Sequence, residues 1–213
     1  MLGSSQPRSY CFVGFRGTFI QMISQTAQTV VLLSGGIDSA VCVNLLKNRG
    51  HNVRGLFVDY GQAASAKEAE TSRAIADYYD IDLQTISLSA GRNFCDGEVV
   101  GRNAFLVFAA LMSSGITAGR LVLGIHQGTD YFDCTPAFAN SIDVLLSEHS
   151  DGAIRLVTPL LQWNKSDIFE YCRREGIPVR KTYSCERGTM PTCGICRSCL
   201  DRLDIDAGKE TLG

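Results

Sequence analysis

The chain has 213 residues, 45% hydrophobic and 20% charged, with a formal net charge of −2 and an isoelectric point near 5.9. That composition fits one soluble domain of good size plus an appendage, and it argues against a broad nucleic-acid-binding face. No apolar run reaches about 18 residues, so no membrane span is read. Four of the nine cysteines cluster near the C-terminus and five are scattered (Cys11, Cys42, Cys95, Cys134, Cys172), a usage that suits a reduced cytoplasmic protein better than a disulfide framework.

Residues 1–28 show no clear periodicity and no continuous apolar core of a secretory leader, so they are expected to form an arm of unknown role. At 30–33 a run of β-branched and aliphatic residues reads as a parallel strand buried on both faces. It ends at Ser34, Gly35 and Gly36, after which Asp38 and Ser39 open an apolar-periodic helix. Further strands are expected at 52–59, 83–88, 120–125 and 154–158, and helices at 63–79, 101–114, 136–148 and 166–175. A short loop carrying Gly91 and Gly97 precedes the 101–114 helix. Strand alternating with helix implies a Rossmann-like α/β fold, a five-stranded parallel sheet with helices on both faces. Ligands in such sheets sit at the carboxyl ends of the strands. The ends at Ser34, at 59–62, at 124–133 and at 159–165 should therefore converge on one cleft.

The turn after the first strand carries the chemistry. Adjacent glycines permit positive φ, so successive N–H groups can converge, and the helix behind adds its positive end; a phosphate or pyrophosphate fits there. Asp38 beside phosphates would be repulsive unless a hard cation bridged them, which implies Mg²⁺. Neither G-x-x-x-x-G-K-[ST] nor G-x-G-x-x-G is present.

Cys185, Cys193, Cys196 and Cys199 form C-x7-C-G-x-C-x2-C. Four thiolates make a closed tetrahedral site, typical of structural Zn²⁺, although iron–sulfur clusters share such spacings. Arg102, in G-R-N at the start of a helix, offers a planar guanidinium suited to phosphate or carboxylate. Lys165 opens a helix, an unfavourable place for a cation unless an anion lies nearby. Asp130, Tyr131 and Asp133 form an acidic, aromatic loop suited to a flat heterocycle with N–H donors.

S-G-G-I-D-S at 34–39 after a strand resembles the pyrophosphate loop of the ATP-pyrophosphatase (PP-loop) enzymes. With D-Y-G-Q at 59–62, G-R-N at 101–103, T-D-Y-F-D-C at 129–134, T-P-L-L-Q-W-N-K at 158–165 and the terminal cysteines, the chain resembles the 7-cyano-7-deazaguanine synthase (QueC) family from about Val30 to Arg202. The resemblance implies an ATP-dependent ligase that forms C–N bonds and releases AMP and pyrophosphate. 7-Carboxy-7-deazaguanine would be adenylated, amidated by ammonia, and dehydrated to the nitrile with a second ATP. It also implies ATP, Mg²⁺ and Zn²⁺ as cofactors, a nucleotide-binding body at 29–178 and a zinc tail at 179–213 packed on the active site.

By the same resemblance, Leu33, Ser34, Gly35, Gly36, Asp38, Ser39, Val58 and Gly124 would hold the nucleotide, and Asp38, Arg102 and Lys165 would act on the phosphates. Asp130, Tyr131, Asp133, Gln62 and His126 would hold the deazapurine. The chain departs from the family in having Ala63-Ala64 where Arg-His usually follows D-Y-G-Q, Val100 in place of Pro, and no Ser-Gly-Tyr-Pro insert near residue 131. A homodimer stays open, as does a variant reaction that stops at the amide or passes the acyl group to another amine, such as a protein N-terminus. Rival readings are a PP-loop tRNA-modifying enzyme, a zinc-ribbon nucleic-acid module and a silent nucleotide sensor; the near-neutral charge counts against the zinc-ribbon module.

Overall fold

The computed structural model describes residues 27–88, 94 and 97–210, excepting the side chains of 204–210. Most of the expected N-terminal arm, together with Gly91, Cys11 and Cys95, lies outside the described residues.

Five parallel strands form one sheet: β1 Gln28–Leu32, β2 Val53–Asp59, β3 Leu83–Ser87, β4 Gly119–Val122 and β5 Ile154–Val157, in the order β3-β2-β1-β4-β5. The central strand is set on both sides by register, Val31 lying opposite Gly55 in β2 and Val122 in β4. Alternation along this strand divides the core. Val31 and Leu33 face one side, with Val41, Leu45, Ile75 and Ile168, while Val30 and Leu32 face the other, with Val107, Leu121, Phe138 and Leu146. Because successive strand residues point to opposite faces, a strand without polar interruption is what two apolar faces require.

The helices are α1 Ile37–Asn48, α2 Ser65–Tyr79, α3 Arg102–Ser113, α4 Pro136–His149, α5 Lys165–Arg174 and α6 Arg197–Glu210, with 3-10 turns at Phe132–Cys134 and Val179–Lys181. Helices α1, α2 and α5 cover the Val31 face; α3 and α4 cover the other. The expected elements are all present, with ends shifted by a few residues. Strand β1 begins at Gln28, inside the span read as the arm, because Gln28 already pairs with Gly119. Helix α2 starts at Ser65 rather than residue 63, after a turn in which Ser65 N–H bonds the Gln62 carbonyl oxygen at 2.9 Å. Among the described residues no helix is long and apolar enough to cross a membrane.

Candidate active site

Strands β1 and β4 are neighbours, but the chain leaves them toward opposite edges of the sheet, β1 to β2 and β4 to β5. A crevice opens at such a switch point. Here it is a cleft of about 320 Å³, within the size range of small-molecule sites.

The glycine turn forms its floor. Gly35 has φ +73°, and a Cβ there would lie 2.1 Å from Thr71 Oγ1, so no other residue fits without moving α2. Gly36 departs from the expectation of paired positive φ. It is extended, at φ −79° and ψ 167°, and serves as the N-cap of α1 with no side-chain cap. The first helical bond runs from Ala40 N–H to the Gly36 carbonyl oxygen at 3.1 Å. The N–H groups of Ile37, Asp38 and Ser39 thus open the helix without a capping side chain, which is the arrangement an anion uses. Ser34 is exposed at the rim, and Ser39 Oγ donates to the Gly36 carbonyl oxygen at 2.9 Å.

Lys165 Nζ donates to both oxygens of Asp38, each at 3.0 Å. The unfavourable position of this cation at the start of α5 is therefore answered by a carboxylate of the protein itself. Helix α5 is fixed there by a capping box between Asn164 and Asp167. Buried His126 donates from Nδ1 to the Gln127 carbonyl oxygen and lies with Nε2 3.8 Å from Asp38 Oδ2. Gly124 brings the end of β4 against α1, where a Cβ would be 3.3 Å from the Asp38 backbone carbon. Beneath lies Cys42, fully buried; burial and then the Asp38 charge push its thiol far up, which makes it an inert packing residue.

On the β2 side Leu33, Val58, Gln62, Arg102 and Tyr131 also line the cleft, but Gly35, Asp130 and Asp133 do not. Asp130 is exposed outside it. Buried Asp133 accepts the Asn103 N–H through Oδ2 at 3.3 Å, while its carbonyl oxygen accepts Asn103 Nδ2–H at 3.0 Å. Asp133 thereby closes the first turn of α3 instead of presenting its carboxylate to the cleft. Gln62 is also occupied. Its Nε2 donates to Glu68 Oε2 at 2.8 Å and to the Val58 carbonyl oxygen at 3.2 Å, and its Oε1 accepts the Tyr60 N–H at 2.9 Å. Tyr60, seen in the sequence only as part of D-Y-G-Q, and Glu68, given no role there, stand on the wall instead. Burial pushes the Glu68 carboxyl up, against the opposing Gln62 hydrogen bond and Arg102 charge.

The C-terminal segment forms the remaining wall. One sulfur from each of Cys185, Cys193, Cys196 and Cys199 lies within 4.8 Å of the others, and Cys193 Sγ and Cys199 Sγ are 3.8 Å apart. The tetrahedron around an ion bound at about 2.3 Å to sulfur has edges of nearly this length, so the four can hold a single metal ion. Backbone N–H groups point at the sulfurs, Cys193 N to Cys185 Sγ and Cys196 N to Cys193 Sγ, both at 3.4 Å. Burial raises the Cys185 thiol, but the donors from Cys193, Thr189 and Arg187 outweigh it and bring it down to about 5, the thiolate a metal requires.

This knuckle is seated on the glycine turn. Tyr183 N–H donates to the Gly35 carbonyl oxygen at 3.0 Å, and Tyr183, Cys185, Cys196 and Cys199 share a small core with Ala64. Gly188, at φ +69°, approaches so closely that a Cβ would lie 2.2 Å from the Ala63 carbonyl oxygen. Ala63-Ala64 is thus the seat of the knuckle. Glu186 binds it down from the other side, accepting from Ser198 N–H at 3.1 Å, Ser198 Oγ–H at 2.8 Å and Gly97 N–H at 3.2 Å. Tyr183, Glu186, Arg197 and Arg202 line the cleft. The sequence reading expected the tail on the active site but named none of these four as a site residue, because each arrives through the docked tail rather than a strand end.

Comparison with known proteins agrees with this architecture. The family model described as "Queuosine biosynthesis protein QueC" matches residues 28–99 and 92–205. A protein named 7-cyano-7-deazaguanine synthase from Prochlorococcus marinus (strain NATL1A) is 34% identical over 223 residues, covering 90% of this chain and 98% of its own. One of the same name from Picrophilus torridus is 31% identical, covering 83% of this chain and 85% of its own. Among solved structures, the U34-tRNA thiolase NcsA from Methanococcus maripaludis, with its [4Fe-4S] cluster, superposes with a TM-score of 0.52 at 13% identity, over 90% of this chain and 68% of that one, a likeness of fold alone. The chain belongs to the QueC family.

Proposed function

We propose that the protein uses ATP to adenylate the carboxylate of 7-carboxy-7-deazaguanine, lets ammonia displace AMP to give the amide, and with a second ATP dehydrates the amide to 7-cyano-7-deazaguanine. One observation carries this reading: the uncapped start of α1, behind Gly35 and Gly36, opens into the cleft that Asp38, Lys165 and Arg102 also line. A carboxylate resists attack by an amine until one oxygen becomes a leaving group, and pyrophosphate held by the glycine turn drives that conversion. The N–H groups of Ile37 to Ser39, with Ser34 and Ser39, bind the departing pyrophosphate. Leu33, Val58 and Gly124 shape the nucleotide site around them. Arg102 neutralises charge on the transferring phosphoryl group. Lys165, now clasped by Asp38, is the second cation available to it.

Asp38 is the residue suited to hold Mg²⁺, which would supply positive charge to polarise the phosphates. The four cysteines suit Zn²⁺, which would hold the 179–213 tail on the 29–178 body; their close sulfurs favour a single ion over a four-iron cube, which spreads its thiolates further apart. His126, beside Asp38, and Tyr131 complete the inner surface. The partners in this reading are small molecules, with neither membrane nor nucleic acid required.

Purified protein is incubated with ATP, Mg²⁺, 7-carboxy-7-deazaguanine and ammonium, and nucleotide and base are followed by chromatography and mass analysis. The expected result is acid-dependent AMP, with the base passing through the amide to the nitrile. ADP as product, or AMP formed equally without the acid, would overturn the reading; a base mass that stays at the amide would limit it to the first half.

A further inference from the structure

The family reaction needs a group that recognises the edge of the deazaguanine ring, and the two aspartates whose chemistry suits it do not present themselves to the cleft. Asp133 is buried as the partner of Asn103, and Asp130 is exposed outside. The one glutamate of α2 that reaches the cleft wall is Glu68. We infer that Glu68 is the specificity-determining residue for the heterocycle, its carboxylate accepting the ring N1–H and the exocyclic amine of the 7-deazaguanine; this rests on the function proposed above.

Position supports the assignment. Thr71 and Ser72, on the same helix, press on the phosphate turn: Thr71 Oγ1 fills the space beside Gly35, and Ser72 Oγ donates to the Leu33 carbonyl oxygen at 2.7 Å. Glu68 precedes them by one helical turn, about 5 Å of rise. A base held there lies alongside the turn, which is where a substrate must sit if its acid is to meet ATP.

Orientation is built in. Gln62 uses both amide N–H donors on Val58 and Glu68, so it holds Glu68 and has no N–H left to offer a ligand. Among the described residues only Oε2 of Glu68 accepts a hydrogen bond, from Gln62. Oε1 has none, and a carboxylate offers about four lone-pair sites, enough for two parallel N–H donors. Arg102 is near enough to act on Glu68 by charge. A first-turn glutamate also complements a helix dipole, but an exposed side chain would do that equally well. Here it stands half-buried beside Tyr60, whose ring is fixed by Phe94 at 5.6 Å and Phe105 at 6.2 Å between centroids. A rigid aromatic next to a carboxylate is the combination sought at residues 130–133, found instead on α2 and the end of β2.

The test pairs 7-carboxy-7-deazaguanine with 7-carboxy-7-deazahypoxanthine, which lacks the exocyclic amine, in AMP-release kinetics of the wild type, Glu68→Gln and Glu68→Asp. The wild type is expected to prefer the amine-bearing acid by about 100-fold in kcat/KM, since a site built for a hydrogen bond rejects a ligand that lacks it. Glu68→Gln should lose about 100-fold on the natural acid, mainly through KM, and discriminate the pair by less than about 3-fold. Glu68→Asp, one methylene shorter, should bind more weakly and keep the preference. Far-UV spectra and melting temperatures establish that each variant is folded. Acid-dependent AMP release with discrimination intact in Glu68→Gln overturns this inference alone; a folded wild type that forms no AMP with the acid overturns the proposed function and this inference with it.

Discussion

The glycine turn and the cysteine knuckle meet at the hydrogen bond from Tyr183 N–H to the Gly35 carbonyl oxygen, yet different forces hold them in place. The loop is suspended between β1 and α1, whose Val31, Leu33, Val41 and Leu45 are buried in a core continuous with the sheet. The knuckle has a small core of its own, Tyr183 and three cysteines against Ala64, with Met190, Ile195, Leu200 and Leu203 left exposed. So little apolar burial does not order a segment of that length, and the proposed metal would supply the rest. On that reading one half of the cleft is built by the fold and the other by coordination.

The largest effect is expected at the cysteines. Cys193→Ser or Cys199→Ser should abolish the metal, whose binding free energy in small structural sites is about 10–16 kcal/mol. Metal analysis, limited proteolysis of 182–203 and the AMP assay together should show the tail released and activity lost, while far-UV circular dichroism keeps the sheet. Asp38→Ala acts on the other half: AMP release should fall about 10³-fold with little change in melting temperature, because the carboxylate serves charge rather than packing.

Gly35→Ala and Gly188→Ala strain the two regions one at a time, since each places a Cβ against backbone or a packed side chain at positive φ. For Gly35→Ala a loss of about 2–3 kcal/mol, or roughly 5–10 °C in melting temperature, is expected in the body. Gly188→Ala should leave that transition in place and loosen only the tail, read as faster proteolysis there.

The smallest effect lies far from both. Asp143 accepts from Arg155 and from the Leu156 N–H at 2.8 Å, and the Arg155 hydrogen bond, outweighing burial, holds its carboxyl below the usual range. A carboxyl lowered on folding contributes stability that is present above its unfolded value, about 3.9, and lost as pH falls through the folded one. Asp143→Asn should therefore cost about 0.5–1 kcal/mol at pH 7 in urea unfolding and progressively less below pH 4.

What could be read from the chain alone was what is local. The strand, glycine turn and helix at 28–48, and four cysteines within fifteen positions, carry their geometry in their spacing. What escaped depended on competition for partners. Asp133 was expected to hold the heterocycle, but it is buried, and Asn103, thirty residues away, binds its Oδ2 and its carbonyl oxygen. Lys165 looked unpaired because Asp38 is far from it in sequence. Ala63-Ala64 resembled a lost basic contact, and only the approach of Gly188 shows why small residues stand there.

The bond from Tyr183 to Gly35 also has a consequence for the newborn chain. Synthesis runs from N- to C-terminus, so the sheet and its glycine turn emerge while residues 183–199 are still unmade. The turn lacks its last neighbour until residues 183–199 have followed it and, on the proposed reading, an ion has been captured. On that reading folding and competence are separate events, and a cell starved of the ion would accumulate intact sheets whose glycine turns lack that neighbour.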